Sequence, residues 1–469
     1  MGLVEEDGDQ MGVMKFVGTG QPARDHMLKR TEPLEARLVA LAEYLPEVAD
    51  YAMPDRNALT EKHSLFTNSG KFVRAPIPEG LELAVERLVA MTPRFKRPGY
   101  ILPGPSVPPS LVELIVENLN PEANAGYPYC TQGLMKRDYC RANLKFVVDL
   151  VNMRLVKLRY FGWKRIRKMK PLERVKAGLC DPFRVIIKNE PHSIEKLSQG
   201  RERLVVCISA VDEIIDRILF TRPNKKLIGH FLVSYSALGI GFDDEKIRQV
   251  WETFLKAPLG EKVHSDMSAW EWSIQGWDHD ADTEVILRTC DGLDDDFEDL
   301  VRARNECTRM GVYVISDGSM FEQTEAGVNK SGGYRTASLN TRTRAMNSLL
   351  VGANWQLCAG DDCVEMEVED MVARYLRLGK RLKDKARADE SFCFCSHEFT
   401  NGKAEPLNVV KAAYRYIVSE PSFEKLKQFA FVYQHSSKFE RALEGLLSAS
   451  RYGTPQAGEG LNNLQGETD

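Results

Sequence analysis

Residues 355–368 read WQLCAGDDCVEMEV. Apolar residues flank Gly360-Asp361-Asp362 on both sides in strand-like patterns, and Gly beside Asp favours a tight turn. The stretch predicts strand, turn, strand, with two carboxylates displayed at a hairpin tip. Such a tripeptide arises by chance in roughly one chain of this length in ten, so an ordinary hairpin turn remains open on this stretch alone. About 95 residues upstream, KVHSDMS (262–268) reads as a strand ending at Asp266. Two neighbouring strands would bring Asp266 and Asp361 together. Clustered carboxylates repel unless a cation neutralises them. Oxygen-only ligands suit Mg²⁺ or Mn²⁺ rather than zinc.

Between these two strands lies a second pattern, Ser331-Gly332-x3-Thr336-x3-Asn340. Residues 336–351 (TASLNTRTRAMNSLLV) predict a helix opened by a Gly-containing loop. Gly332 and Gly333 let backbone approach a ligand closely. Thr336 and Asn340 are four apart, so on a helix they share a face. An amide and a hydroxyl there suit a sugar hydroxyl. The plainer reading is a helix start capped by Ser331.

The third pattern is cationic: Lys188-Asn189-Glu190-Pro191-His192-x3-Lys196-x3-Gly200-Arg201-x-Arg203. Fixed guanidinium and ammonium groups match a triphosphate. Read alone, the stretch is a charged turn region. It closes a longer basic stretch. Residues 131–203 hold 19 Lys and Arg against 7 Asp and Glu, a net +12. The whole chain has 469 residues and a net charge of −4, so the remainder carries −16. The stretch reads either as a solvated helix face or as a surface facing phosphates.

Composition bounds the class. A 43% hydrophobic and 28% charged make-up is that of a globular protein. The near-neutral total argues against a simple basic nucleic-acid module. Ten cysteines without a CxxC pair argue against both a disulfide framework and a zinc site. No signal peptide, myristoylation motif or apolar span of membrane length is expected. Helices are expected over 33–50, 79–92 and 142–161, and a loop or extended segment over 93–110. Loose chain is expected over 1–20 and disorder over 452–469. Trp270, Trp272 and Trp277 read as core, Cys358 and Cys363 as small buried fillers. Cys393 and Cys395 read as alternating on a strand, so that only one faces the core. His192, His264 and His397 lie near the motifs and read more simply as structural.

Taken together, Asp266-x4-Glu271, SGGYRTASLN, GDD and the preceding KNEPHSIEKLSQGRERL resemble motifs A, B, C and F of viral RNA-dependent RNA polymerases. ANAGYPYC (123–130) resembles motif G, LGKRLKD (378–384) motif D, and FCSHEF (394–399) motif E. The wording of these segments is most similar to polymerases of sobemoviruses, poleroviruses and barnavirus-like viruses, over about residues 120–400.

The resemblance implies an α+β right-hand fold of fingers, palm and thumb. Residues 1–115 would form an N-terminal fingers or fingertip region, and 116–260 fingers with the basic nucleotide channel. Residues 261–400 would form the palm, with a finger insertion at about 275–320, and 401–469 a small thumb and tail. The implied activity is template-directed RNA synthesis from NTPs. A reverse transcriptase and a catalytically silent RNA-binding replicase subunit are the alternatives.

Asp266, Asp361 and Asp362 would hold two Mg²⁺ (or Mn²⁺) ions. Lys188, Lys196, Arg201 and Arg203 would line the triphosphate channel. Ser331, Gly332, Thr336 and Asn340 would position the nucleotide, Asn340 sensing the ribose 2′-OH. Lys383 would protonate pyrophosphate, with Lys380 and Lys385 as competing candidates. Glu271 stands where motif A has a second Asp. Its carboxylate reaches about 1.5 Å farther and is expected to meet the ribose or Asn340. Implied partners are viral RNA template and nascent strand, a genome-linked protein primer and a viral protease as polyprotein neighbours. Host membranes enter only indirectly, within cytoplasmic replication complexes.

Overall fold

A computed structural model describes residues 10–24, 34–99, 106–419 and 422–451. The hairpin forms as the sequence predicts, from Gln356–Ala359 and Asp362–Met366. It belongs to a four-stranded antiparallel sheet ordered Gln356–Ala359, Asp362–Met366, Lys262–Met267, Leu382–Arg387. One face packs on the helix Thr336–Val351, whose bounds match the expected ones. Val263, Cys358, Cys363, Trp270, Trp277, Met346 and Tyr375 fill the core between them. Trp270, Trp272 and Trp277 are all buried, as are Cys358 and Cys363.

A second sheet has six strands, ordered Gln10–Met11, Met14–Thr19, Ser319–Gln323, Val312–Val314, Phe183–Ile187, Leu204–Cys207. Residues 14–19 are therefore not loose, contrary to expectation. They pair antiparallel with Ser319–Gln323. Their partner lies 300 residues away in sequence, so nothing local marks the strand. Residues 1–9 lie outside the described residues, as do 452–469.

Three strands, Ser391–Phe394, His397–Thr400 and Lys403–Pro406, form a small meander. Here the cysteine reading needs correction. Cys393 is exposed, and Cys395 lies past the strand in a turn at φ +51°. Residues two apart on a strand share a face, and Cys395 is off the strand, so the two do not alternate on it.

The expected helices appear at Leu34–Ala42, Leu81–Met91 and Leu144–Phe161. The first is shorter than expected, because Pro46 starts a separate short 3₁₀ turn, Pro46–Asp50. In the expected loop 93–110, Phe95–Lys96 pairs with Cys290–Asp291 and a helix starts at Pro109; residues 100–105 lie outside the described ones. The C-terminal helices Val409–Val418, Phe423–Tyr433 and Phe439–Ser450 bury Val410, Ile417 and Leu446 against Ala40, Leu41 and Leu45. Residues near 40 and near 440 thus share one core across the expected lobe division. Among the described residues no helix is long and apolar enough to cross a membrane.

Candidate active site

Gly360 sits at φ +67°, a conformation that favours glycine, and turns the hairpin there. The register Cys363↔Ser265 carries Asp362 and Asp266 to adjoining ends of neighbouring strands. Burial pushes the Asp361 carboxyl up to about 7, helped by the nearby charges of Glu271, Asp362 and Asp266. Burial also raises Asp362 to about 6, with Asp266 adding to it; the Cys395 backbone N–H and Arg344 act the other way. Four carboxylates therefore share one field, which is the repulsion the sequence pattern implied.

One cation meets them directly. Lys383 Nζ lies 3.1 Å from Asp266 Oδ2 and 2.9 Å from Asp384 Oδ2. These bonds, Asp384 first, raise the Lys383 ammonium above its ordinary range. The rival lysines are engaged elsewhere. Lys380 is fully buried, 2.6 Å from Asp278 and facing Trp270 and Trp277. Lys385 pairs with Glu367 at 2.6 Å. Among the described residues no three His, Cys, Asp or Glu side chains cage an ion by themselves. Mg²⁺ sites for nucleotides typically combine one or two carboxylates with substrate phosphates and water, so such a donor set is open by nature.

The loop before the helix is built against the strand Leu204–Cys207. Ser331 Oγ accepts from the Val206 N–H at 3.1 Å, and the Gly332 N–H donates to the Val206 carbonyl at 3.0 Å. A Cβ on Gly332 would stand 2.8 Å from that carbonyl oxygen, so only glycine fits. Thr336 Oγ1 donates to the Lys330 carbonyl at 2.7 Å. The capping alternative fails: the helix N-cap is Arg335 without a side-chain cap bond, and Ser331 bonds a strand. Asn340 Oδ1 accepts from Asn329 Nδ2 at 2.7 Å, and the Asn329 N–H donates to the Glu271 carbonyl at 2.8 Å. Of the two contacts expected for the Glu271 carboxylate, ribose or Asn340, the second is replaced by a link from Asn340 through Asn329, a residue the sequence reading passed over, to the Glu271 main-chain carbonyl.

The third cluster gathers on Glu190. Lys188 Nζ is 3.0 Å, Arg203 Nη1 3.2 Å and Lys411 Nζ 2.8 Å from its carboxylate. Burial alone would raise Glu190, but Lys411 and Lys188 outweigh it and hold it near about 2. Lys196 is lowered by burial and by Arg203, Lys383, Lys411 and Arg201; Lys71 is lowered by burial and by Arg201 and Lys196. One positive field therefore spans Lys71, Lys188, Lys196, Arg201, Arg203, Lys383 and Lys411. Lys71 and Lys411 were invisible in sequence, because only folding brings them to the motif. His192 is a structural clip: its ring joins the Glu190 carbonyl (2.8 Å) and the Arg203 N–H (2.9 Å). His397 stacks on Phe242 with ring centroids 3.8 Å apart.

Part of the +12 segment pairs internally, while Lys164, Arg165, Lys168 and Lys170 lie on an exposed face, the solvated-face reading of that run. Arg154 bridges Asp181 and Asp212, both at 2.7 Å. Arg184 pairs with Glu61 at 2.9 Å and Lys136 with Glu213 at 2.6 Å, all buried. Arg159 and Arg167 pair with Asp296, Asp280 and Glu306.

With this geometry in place, known proteins give the frame. The viral RNA-directed RNA polymerase family matches residues 26–255 and 283–413. The chain belongs to that family. It is 29% identical over 427 residues to the replicase polyprotein P2AB of Southern cowpea mosaic virus, covering 87% of this chain and 44% of that one. It is 33% identical over 316 residues to protein P1-P2 of potato leafroll virus (64% of this chain, 29% of that one). The RNA-directed RNA polymerase of mushroom bacilliform virus is 29% identical over 332 residues, 68% of this chain and 79% of that one. The chain thus spans less than half the length of the replicase polyproteins it matches. Among solved structures, the sicinivirus 3Dpol RNA-dependent RNA polymerase superposes with a TM-score of 0.65 at 14% identity, over 93% of this chain and 94% of that one. The fold is the right-hand polymerase fold.

Proposed function

We propose that this chain synthesises RNA from NTPs on a viral RNA template by two-metal-ion nucleotidyl transfer. The observation that carries the reading is the meeting of Asp266, Asp361, Asp362 and Glu271 at the hairpin beside the cationic cluster on Glu190.

Asp266 and Asp361, with Asp362 assisting, would hold two Mg²⁺ or Mn²⁺ ions. Burial, helped by the crowding of these carboxylates, drives Asp361 up to about 7 when no divalent cation balances it, which fits that role. When bound, the ions supply positive charge to the attacking 3′-oxygen and to the leaving pyrophosphate. The chain's residues do the rest. Lys188, Lys196, Arg201 and Arg203 neutralise and orient the triphosphate, with Lys71 and Lys411 reinforcing the same field. Lys383 Nζ, kept protonated by Asp384 and Asp266, donates its proton to the departing pyrophosphate. Ser331, Gly332 and Thr336 shape the loop under the nucleotide. Asn340, backed by Asn329 on the Glu271 main-chain carbonyl, reads the 2′-OH, and the Glu271 carboxylate is left to meet the ribose.

The lobe boundaries given above, the two-metal cofactor, the RNA and genome-linked-protein partners and the protease neighbour belong to this proposal. So does work in cytoplasmic replication complexes. The test is extension of an RNA primer on a generic RNA template with Mg²⁺. NTPs should be incorporated and dNTPs strongly disfavoured, and omitting the template should abolish incorporation. Equal use of dNTPs would indicate a reverse transcriptase. RNA binding without incorporation would indicate a silent subunit.

A further inference from the structure

Beneath the Asp361 turn lies a fully buried polar network with no place in the nucleotide chemistry. Arg344, on the helix Thr336–Val351, and Glu365, on the strand Asp362–Met366, are both wholly excluded from solvent and 2.7 Å apart. The same guanidinium donates to Ser265 Oγ at 2.6 Å and to Tyr375 Oη at 2.5 Å. Tyr375 Oη donates in turn to Glu365 Oε2 at 2.6 Å. The Arg344 Nε–H reaches the backbone carbonyl of Asp361 at 3.3 Å. One turn earlier on this helix, Thr341 Oγ1 accepts the Gly360 N–H at 2.8 Å.

A buried ion pair is a poor way to stabilise a core, because apolar residues of equal volume serve as well or better. Its geometry offers something else. The planar guanidinium presents five donors in a fixed fork. Here the fork touches the strands Lys262–Met267 and Asp362–Met366 and the turn that leads into the second of them. Ser265 faces inward and its strand neighbour Asp266 outward, so holding Ser265 sets where Asp266 emerges. Holding the Asp361 carbonyl sets the turn. The helix that carries Asn340 is thereby tied to both.

We propose that Arg344 is a positioning residue that fixes the spacing of Asp361 and Asp266 and so prepares the site for its divalent ions. This rests on the two-metal reading proposed above. Removing partners behind a metal ligand commonly costs 10–100-fold in metal affinity or activity.

The experiment compares wild type, Arg344→Lys, the double variant R344M/E365L and Asp361→Ala. It reads single-turnover NTP incorporation, Mn²⁺ binding without nucleotide by electron paramagnetic resonance, and urea unfolding. Arg344→Lys keeps the charge but loses the fork. It should slow incorporation about 10–100-fold and weaken Mn²⁺ binding by a similar factor. The KM for NTP should stay within about twofold, since ground-state nucleotide binding is untouched. The double variant should unfold near the wild-type urea midpoint yet remain slow. Wild-type rates in the double variant would show that the network is only packing and overturn the proposal. Wild-type rate and Mn²⁺ affinity in Arg344→Lys, with Asp361→Ala inactive, would overturn it while leaving the two-metal reading standing. An active Asp361→Ala would overturn that reading itself. Unfolding of both Arg344 variants would show that the network holds the fold, and would also overturn a positioning role.

Discussion

The two halves of the basic segment look alike in sequence and differ in the fold. Over residues 136–184, Lys136, Arg154, Arg159, Arg167 and Arg184 each meet a carboxylate from elsewhere in the chain. Over 188–203 the balance reverses. Lys188 and Arg203 share the single carboxylate of Glu190, and Lys411 arrives to claim it as well. In the first half these five are internal scaffolding, while Lys164, Arg165, Lys168 and Lys170 stay exposed beside them. The second is left with positive charge in excess of its carboxylate, which is what a triphosphate requires. A count of charges along a sequence cannot separate the two, because the partners are remote: Glu61 lies 123 residues from Arg184 and Glu190 lies 221 from Lys411.

This contrast can be broken by mutation. The largest effect falls on the first half. Arg154→Ala leaves Asp181 and Asp212 buried without their shared cation, and should cost about 3–5 kcal/mol of stability. Urea unfolding measures it, and a loss below about 1 kcal/mol would mean that this half is not scaffolding. Next, Arg203→Ala should raise the KM for NTPs roughly tenfold, because it removes the charge-assisted phosphate contact proposed for it, of about 1.5–3 kcal/mol. Its urea midpoint should hardly move, since Arg203 is half exposed; the reverse pattern would place it with the scaffold. Lys411→Ala should give a smaller rise in KM of the same kind, about threefold, detectable in the same steady-state assay.

A pH dependence probes the same cluster through its carboxylate. The Glu190 carboxyl is held near about 2 in the fold, below its ordinary 4.5. A depressed carboxyl stabilises the fold fully above its unfolded value, and that stability fades as pH falls from there toward about 2. Glu190→Gln should therefore be less stable than wild type at pH 7, with the gap narrowing below about pH 4.5. A gap that stays constant down to pH 3 would mean that the Lys188, Arg203 and Lys411 contacts do not depend on that charge.

Much of the site was legible before the structure. The hairpin 355–368 announced itself by strand patterning around Gly and Asp, and 336–351 by helical spacing; both formed at those places. What stayed hidden depends on pairing across long sequence distances. Met14–Thr19 becomes a strand only because Ser319–Gln323 offers an edge. Lys71, Asn329 and Lys411 carry no local signal, and the bridge from Asn340 to the Glu271 main chain was hidden because Asn329 is 58 residues from Glu271. Cys395 was misplaced because the strand ends one residue earlier, in a turn whose positive φ a cysteine rarely adopts.

The central claim is that the carboxylates of the Gly360 hairpin drive nucleotidyl transfer with the excess cations beside them. Its most direct test is extension of an RNA primer on an RNA template with NTPs and Mg²⁺, wild type beside Asp361→Ala. The wild type should extend the primer, and the variant should lose at least roughly a thousandfold in rate, the scale of several kcal/mol of lost charge stabilisation. Extension by the variant at the wild-type rate would contradict the account.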